Sequence, residues 1–148
     1  ALMERAGTTS HRGSITGFYT VLVEGDDIND PIGDTARSIL DGHIVLSRTL
    51  ASQNHYPAID VSLSLSRLMR DIAADDQNAV AGQFRQVLAD YEEIRDAYNI
   101  GAYTVGMNPK SDYAIEHIDA MNEFLRQGDE SSTFEETLDQ LSQVFSNL

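Results

Sequence analysis

Two side chains of this sequence have the type and setting for ligand chemistry, Tyr56 and Arg67. Tyr56 precedes Pro57, which fixes its own φ angle and keeps Tyr56 out of the helical region. An aromatic ring held rigidly at the end of a strand is well placed to stack on a flat group. Arg67 closes a run of small and apolar residues, so it is a cation at the tip of an apolar element. Composition alone also fits a half-buried tyrosine beside a proline and a surface or ion-paired arginine.

A cluster of acidic residues and two histidines also have metal-binding side chains. The acidic residues fall in one turn: Glu24, Asp26, Asp27 and Asp30. A hard-cation site needs converging oxygen ligands, and this spacing matches no known loop, so turn and helix-cap roles are favoured. His43 and His55 are isolated in a chain without cysteine. Packing or hydrogen bonding is therefore favoured over a ligand or base role for both histidines.

The elements that position these residues form a predicted α/β segment. Residues 14–23 are rich in β-branched and aromatic side chains at both odd and even positions, which predicts a strand buried on both faces. Asp30 before Pro31 predicts a helix start, and Gly42 is the expected C′ stop. The apolar run at residues 44–46 predicts a second buried strand. Strand, helix and strand form a βαβ unit, which implies a parallel sheet.

The rest of the chain is predicted to be all-α. Residues 78–98 place one apolar stripe on a long helix, made of Val80, Phe84, Val87, Leu88, Tyr91, Ile94 and Tyr98. Asn108 caps a second helix, and Thr133 begins the capping box of a last one. We therefore predict two domains, an α/β domain at residues 1–70 and a helical bundle at residues 71–148.

Composition limits the partners and the location. The net charge of −14 over 148 residues disfavours nucleic acid and anionic membranes, because both require a basic surface. No apolar run reaches about 18 residues, so no transmembrane helix is predicted. The absence of a signal peptide at Ala1 favours an intracellular location. The sequence does not begin with methionine, and we expect it to be a piece of a longer protein.

Four segments of the sequence resemble the flagellar and type III secretion export ATPases, relatives of the catalytic subunit of rotary ATP synthases. The segments are GSITGFYTVL at 13–22, EGDD at 24–27, DGHIVLSR at 41–48 and HYPAID at 55–60. They occur in the order and spacing of that family. The choice of His43 and of Glu24 with Gly25 favours the export branch over the synthase branch.

The resemblance implies a fold and a set of site residues. Residues 1–70 would form the C-terminal part of a RecA-like, parallel-sheet nucleotide-binding core, followed by the helical domain, in a homo-hexameric ring. Tyr56 would stack on adenine, and Arg67 would be an arginine finger that reaches the γ-phosphate bound by a neighbouring subunit. A loop would face the centre of the ring, where a central stalk protein docks; its residues are Gly25, Asp26, Asp27 and Asp30.

The resemblance also implies ATP and Mg²⁺ in the full-length protein. The implied partners are a regulator of the export apparatus, export chaperones and cargo, and the implied location is the cytoplasm at the inner face of the membrane. The chain has no G-x-x-x-x-G-K-[ST] motif, and its single lysine, Lys110, lies in no glycine-rich loop. We therefore expect the chain alone neither to hydrolyse ATP nor to bind it tightly.

Two alternatives to an export motor remain at this stage. A non-catalytic adaptor that binds partners through its helical half is compatible with the lack of a complete catalytic constellation. A rotary synthase-type subunit would share the fold and differ in what it drives. The segments at 24–30 and 99–115 favour export over synthesis.

Overall fold

A computed structural model describes residues 3–8, 10, 12–23, 25 and 30–146 of the chain. The backbone divides into two compact units. The first unit contains Ala1–His43 and Ser66–Leu68, and the second contains Ile44–Leu65 and Met69–Leu148. The domain boundary predicted between residues 70 and 71 stays a prediction.

The first unit contains a small antiparallel sheet and one helix. A 3₁₀ turn at Met3–Arg5 is followed by β1 (Gly7–Thr8), which pairs with β2 (Ser14–Ile15). The helix α1 covers Pro31–Ile39 and begins at the predicted place, with Asp30 as N-cap and proline at its start. Leu40 is the C-cap of α1, so Gly42 is not the C′ residue and instead begins the next strand. The prediction of Gly42 as the helix stop was therefore wrong.

The strand predicted at residues 14–23 is reduced to β2. Residues 16–23 belong to no strand in the part of the chain that the structure describes. Phe18 is 92% exposed and Leu22 is 90% exposed, so the prediction of burial on both faces was also wrong for this chain. A strand forms only where a neighbouring strand satisfies its backbone groups. An apolar, β-branched composition makes a segment compatible with a strand, but it does not provide the neighbouring strand.

A two-stranded sheet follows, made of β3 (Gly42–Leu46) and β4 (Ile59–Ser66), with the short helix α2 (Arg48–Ser52) between them. The Ser47 amide donates to the Ala58 carbonyl at 2.8 Å, so the end of β3 meets the start of β4 and the two strands are antiparallel. Because β2 and β3 lie in different sheets, the predicted βαβ pairing of these two strands is not formed in the described residues. The strand predicted at residues 44–46 is confirmed, but its burial is not. Ile44 is 68% exposed and Leu46 is 73% exposed, because a two-stranded sheet leaves much of its apolar surface uncovered.

Four helices complete the second unit: α3 (Met69–Ile72), α4 (Asp75–Asn99), α5 (Pro109–Leu125) and α6 (Phe134–Gln143). Two members of the predicted stripe, Phe84 and Val87, are buried in a core that also contains Ala114, Met121 and Val144. None of the helices in the described ranges is long and apolar enough to cross a membrane. The predicted helical bundle is therefore present, built around the face of α4 that the apolar spacing selects.

Local capping fixes where these helices begin. The Asn108 side chain accepts from the Lys110 amide at 3.0 Å. Thr133 Oγ1 accepts from the Glu136 amide at 3.2 Å, and Glu136 Oε2 accepts from the Thr133 amide at 2.7 Å. The Thr133 amide chiefly lowers the pKa of the Glu136 carboxyl, since it stabilises the charged form. Both predicted helix starts are confirmed.

Candidate functional site

Tyr56 lies in the turn between α2 and β4. Its side chain is 53% exposed, and the Tyr56–Pro57 peptide bond is cis. The Tyr56 carbonyl accepts a hydrogen bond from the Gln127 amide at 2.8 Å, just beyond the end of α5. The backbone of Tyr56 is therefore held against a segment far away in sequence, while its ring remains accessible.

A groove of about 380 Å³ lies beside this turn, within the second unit. Pro57 and Ile59 line it from the side of β4, and Phe124, Arg126 and Gln127 line it from the end of α5. Polar side chains at Glu130, Ser132, Thr137 and Gln140 also line it, so the lining is of mixed polarity. The groove thus begins at Pro57, the residue after the exposed Tyr56.

His55 is buried, at 4% exposed, immediately before Tyr56. Burial lowers the pKa of the His55 imidazole below its ordinary value, and the nearby positive charge of Arg126 lowers it further. The His55 amide donates to the Leu50 carbonyl at 3.0 Å, which ties the turn to α2. These contacts agree with the packing role favoured for this histidine.

Arg67 follows β4 directly and is exposed in the first unit. Its amide donates to the Asp41 carbonyl at 2.8 Å, and Nη2 of its guanidinium donates to the Arg37 carbonyl at 3.2 Å. Arg37 lies in the last turn of α1, where unpaired helix carbonyls attract a cation. A guanidinium has five N–H donors, so this contact leaves donors for an anionic group.

The acidic turn is only partly within the described residues. Asp26 and Asp27 lie outside them, as does Glu24. Gly25 has a φ of +65°, a conformation that glycine adopts without strain. Asp30 Oδ1 accepts from the amides at the start of α1, as the helix-cap interpretation predicts. The assignment of this loop to a partner surface stays a prediction.

The predicted site residues are divided between the two units. Asp30 caps the first turn of α1 and Arg67 contacts its last turn, both in the first unit. Tyr56 and the groove belong to the second unit. Sequence reasoning missed Phe124 and Gln127, because no local pattern marks the end of α5 as the wall of a groove. Only the fold brings that segment to the turn at Tyr56.

Comparison with known proteins agrees with both halves of this description. Residues 1–66 match the model of the ATP synthase alpha/beta family, nucleotide-binding domain. Residues 73–143 match the model of the T3SS EscN ATPase C-terminal domain. The fold class is therefore the end of an ATPase nucleotide-binding core followed by a helical C-terminal domain.

Individual relatives come from type III secretion and flagellar systems. The chain is 48% identical to the type 3 secretion system ATPase of Pseudomonas syringae pv. tomato, over 99% of the chain and 33% of that protein. It is 48% identical to the flagellum-specific ATP synthase of Pseudomonas aeruginosa, over 97% of the chain and 32% of that protein. The chain is therefore similar over nearly its whole length to flagellar and type III secretion ATPases, and it spans about a third of the length of these curated relatives.

The solved structures agree with this assignment. The assembled ATPase EscN of enteropathogenic E. coli superposes with a TM-score of 0.90 at 44% identity, covering 97% of this chain and 35% of that one. A structure of assembled EscN in complex with its central stalk EscO superposes with a TM-score of 0.84 at 42% identity, covering 97% of this chain and 34% of that one.

Proposed function

We propose that this chain is the C-terminal part of a hexameric motor that hydrolyses ATP to drive protein export through a flagellar or type III secretion apparatus. The observation that carries the proposal is the 48% identity, over nearly the whole chain, to ATPases of these two systems. Two exposed side chains support it, Tyr56 next in sequence to a residue that lines the groove and Arg67 at the end of β4.

In this proposal Tyr56 and the groove hold the adenine of ATP. The ring of Tyr56 stacks on the base, and the walls at Phe124 and Gln127 enclose its edge. The mixed apolar and polar lining of the groove supports this proposal. The chain has no phosphate-binding loop, so the phosphates and Mg²⁺ are held by other parts of the full-length protein. The chain alone is accordingly inactive and binds ATP weakly.

Arg67 acts on the nucleotide of a neighbouring subunit. Charge spreads over the oxygens of the transferred phosphoryl group in the transition state, and a guanidinium beside them stabilises it. Its exposed position at the end of β4 supports a role toward a neighbour. The contact of its guanidinium with the Arg37 carbonyl uses one N–H donor, so further donors remain for a phosphate. Removing Arg67 should therefore slow the chemical step and leave ATP binding nearly intact.

The partners follow from the same assignment. EscN was solved as an assembled ATPase and in complex with its central stalk, which supports a ring of identical subunits around a stalk protein. The Gly25–Asp30 loop, including Asp26 and Asp27, is the proposed contact with that stalk. We further propose binding of a regulator, export chaperones and cargo, in the cytoplasm at the inner face of the membrane.

Mixed rings of the full-length ATPase test the role of Arg67. Homogeneous Arg67→Ala rings should lose turnover by about 10³- to 10⁵-fold, the range found for arginine fingers, with nearly unchanged ATP affinity. Rings mixed from Arg67→Ala subunits and subunits with a substituted P-loop lysine should regain turnover, because some interfaces then join an intact P-loop to an intact arginine. Steady-state hydrolysis and equilibrium nucleotide binding are the measurements.

Arg70→Ala is the matched control, since Arg70 is an exposed arginine in α3, the next helix along the chain, and should tolerate replacement. Equal losses of affinity and turnover in Arg67→Ala would contradict a transition-state role. Mixed rings without recovery would show that Arg67 does not act across the subunit interface.

A further inference from the structure

Helix α1 connects two residues that sequence reasoning treated separately, Asp30 and Arg67. We propose that Asp30 is a positioning residue for Arg67 and acts through α1, which holds the arginine at its last turn. This inference rests on the proposed role of Arg67 in hydrolysis. It assigns Asp30 a part in turnover that is separate from any contact with a partner protein.

The N-terminal end of α1 depends on Asp30. Its Oδ1 accepts from the Ile32 amide at 2.9 Å and from the Gly33 amide at 3.0 Å, and its carbonyl accepts from the Asp34 amide at 2.8 Å. Amides in the first turn of a helix have no partner within the helix, so a capping carboxylate satisfies them and complements the helix dipole. Asp30 therefore provides three of the contacts that start the helix.

The C-terminal end of α1 holds Arg67. Helix α1 ends at Ile39, and the Arg37 carbonyl in its last turn accepts from the Arg67 guanidinium at 3.2 Å. The Asp41 carbonyl, two residues beyond the helix, accepts from the Arg67 amide at 2.8 Å. One contact orients the side chain and the other fixes the backbone. The Arg37 carbonyl keeps its position only while the last turn of α1 is formed, whereas the Asp41 carbonyl continues the pairing of β3 with β4.

The length of α1 makes its two ends interdependent. It has nine residues, and isolated helices shorter than about 12 residues are marginal in water. Within this chain Ala36 is the buried residue of α1, so the contacts at its ends contribute much of its stability. Loss of the Asp30 side chain therefore lowers the population of the complete helix, and with it the fraction of subunits whose Arg67 is in place.

Steady-state kinetics of the full-length ring test this coupling. Loss of a helix cap costs roughly 1 kcal/mol, which shifts the equilibrium between complete and frayed α1 about fivefold and so predicts a fall in kcat of up to about fivefold for Asp30→Ala. The KM for ATP should be unchanged. Asp30→Asn should restore most of the turnover, since asparagine also caps helices. Thr133→Ala, which uncaps the similarly short helix α6, should leave kcat at the wild-type level.

A double-mutant cycle separates positioning from a merely structural effect. In the Arg67→Ala background, Asp30→Ala should cause no further fall in the residual turnover. Amide hydrogen exchange gives a readout that does not depend on activity. Asp30→Ala should speed exchange at the Leu40 amide, which donates to the Ala36 carbonyl in the last turn of α1, and Thr133→Ala should not.

Three results would overturn the inference. An equal fractional loss of turnover in both backgrounds would show that Asp30 acts independently of Arg67. Unchanged exchange at the Leu40 amide in Asp30→Ala would show that the last turn of α1 does not depend on the cap. Full turnover in the single variant Arg67→Ala would instead refute the proposed function, and the positioning role would fall with it.

Discussion

Replacing Tyr56 with alanine removes an exposed ring and leaves its backbone anchor in place. The anchor is the hydrogen bond from the Gln127 amide to the Tyr56 carbonyl, which needs no side chain. Stacking of a base on an aromatic side chain contributes about 1–3 kcal/mol, as judged by alanine substitution. The affinity of the full-length hexamer for ATP should therefore fall by about 5- to 150-fold. Turnover at saturating ATP should fall less, because in the proposed role the phenol ring of Tyr56 stacks on adenine and not on the reacting phosphate.

A packing role for Tyr56 predicts a different result. The side chain is 53% exposed, so roughly half of the ~200 Å² that a tyrosine can bury is in contact with protein. At about 25 cal/mol per Å², its loss would cost at most about 2.5 kcal/mol of folding free energy. Nucleotide affinity would remain unchanged in that case. Stacking thus predicts a loss of nucleotide affinity, whereas packing predicts a loss of folding free energy.

Equilibrium titration with a fluorescent adenine nucleotide measures affinity, and urea unfolding measures stability. Tyr56→Phe keeps the ring and should retain most of the affinity. Tyr98→Ala removes another partly exposed tyrosine, on α4, and should leave affinity unchanged. Wild-type affinity in Tyr56→Ala together with a lower unfolding midpoint would refute adenine stacking.

Two further predictions concern stability. Met121 is fully buried in the core of the helical bundle, so Met121→Ala should lower the free energy of unfolding by about 2–5 kcal/mol in urea titrations, whereas Ile100→Ala, at an 80% exposed position, should change it by less than about 0.5 kcal/mol. His55 has a folded-state pKa below its ordinary value of 6.5, chiefly through burial and then through Arg126. The unfolded state therefore binds the proton first, so the stability from neutral His55 is complete above pH 6.5 and is lost as the pH falls toward the folded-state pKa. His55→Gln should remove that part of the pH dependence between pH 7.5 and 5.5, and an identical slope in both proteins would contradict the assignment.

Local chemistry in the sequence was enough to place the starts of three helices. Asp30 with Pro31 opens α1, Asn108 caps α5, and Thr133 with Glu136 opens α6, all where predicted. Such caps are formed within three or four residues, so the sequence contains both partners of each hydrogen bond. The apolar spacing along α4 likewise selects the face that carries Phe84 and Val87, because helix periodicity depends only on local geometry.

Strands and sites depended on the tertiary structure. Residues 16–23 have strand composition and are not part of a strand, since pairing needs a neighbour that composition does not specify. The groove beside Tyr56 requires the end of α5, and the anchorage of Arg67 requires the last turn of α1. The sequence and its family resemblance pointed to Tyr56 and Arg67, but their partners are distant along the chain. Hydrogen bonds between such distant residues exist only after the backbone has brought them together, so only the tertiary structure could show what anchors the Tyr56 backbone and the Arg67 guanidinium.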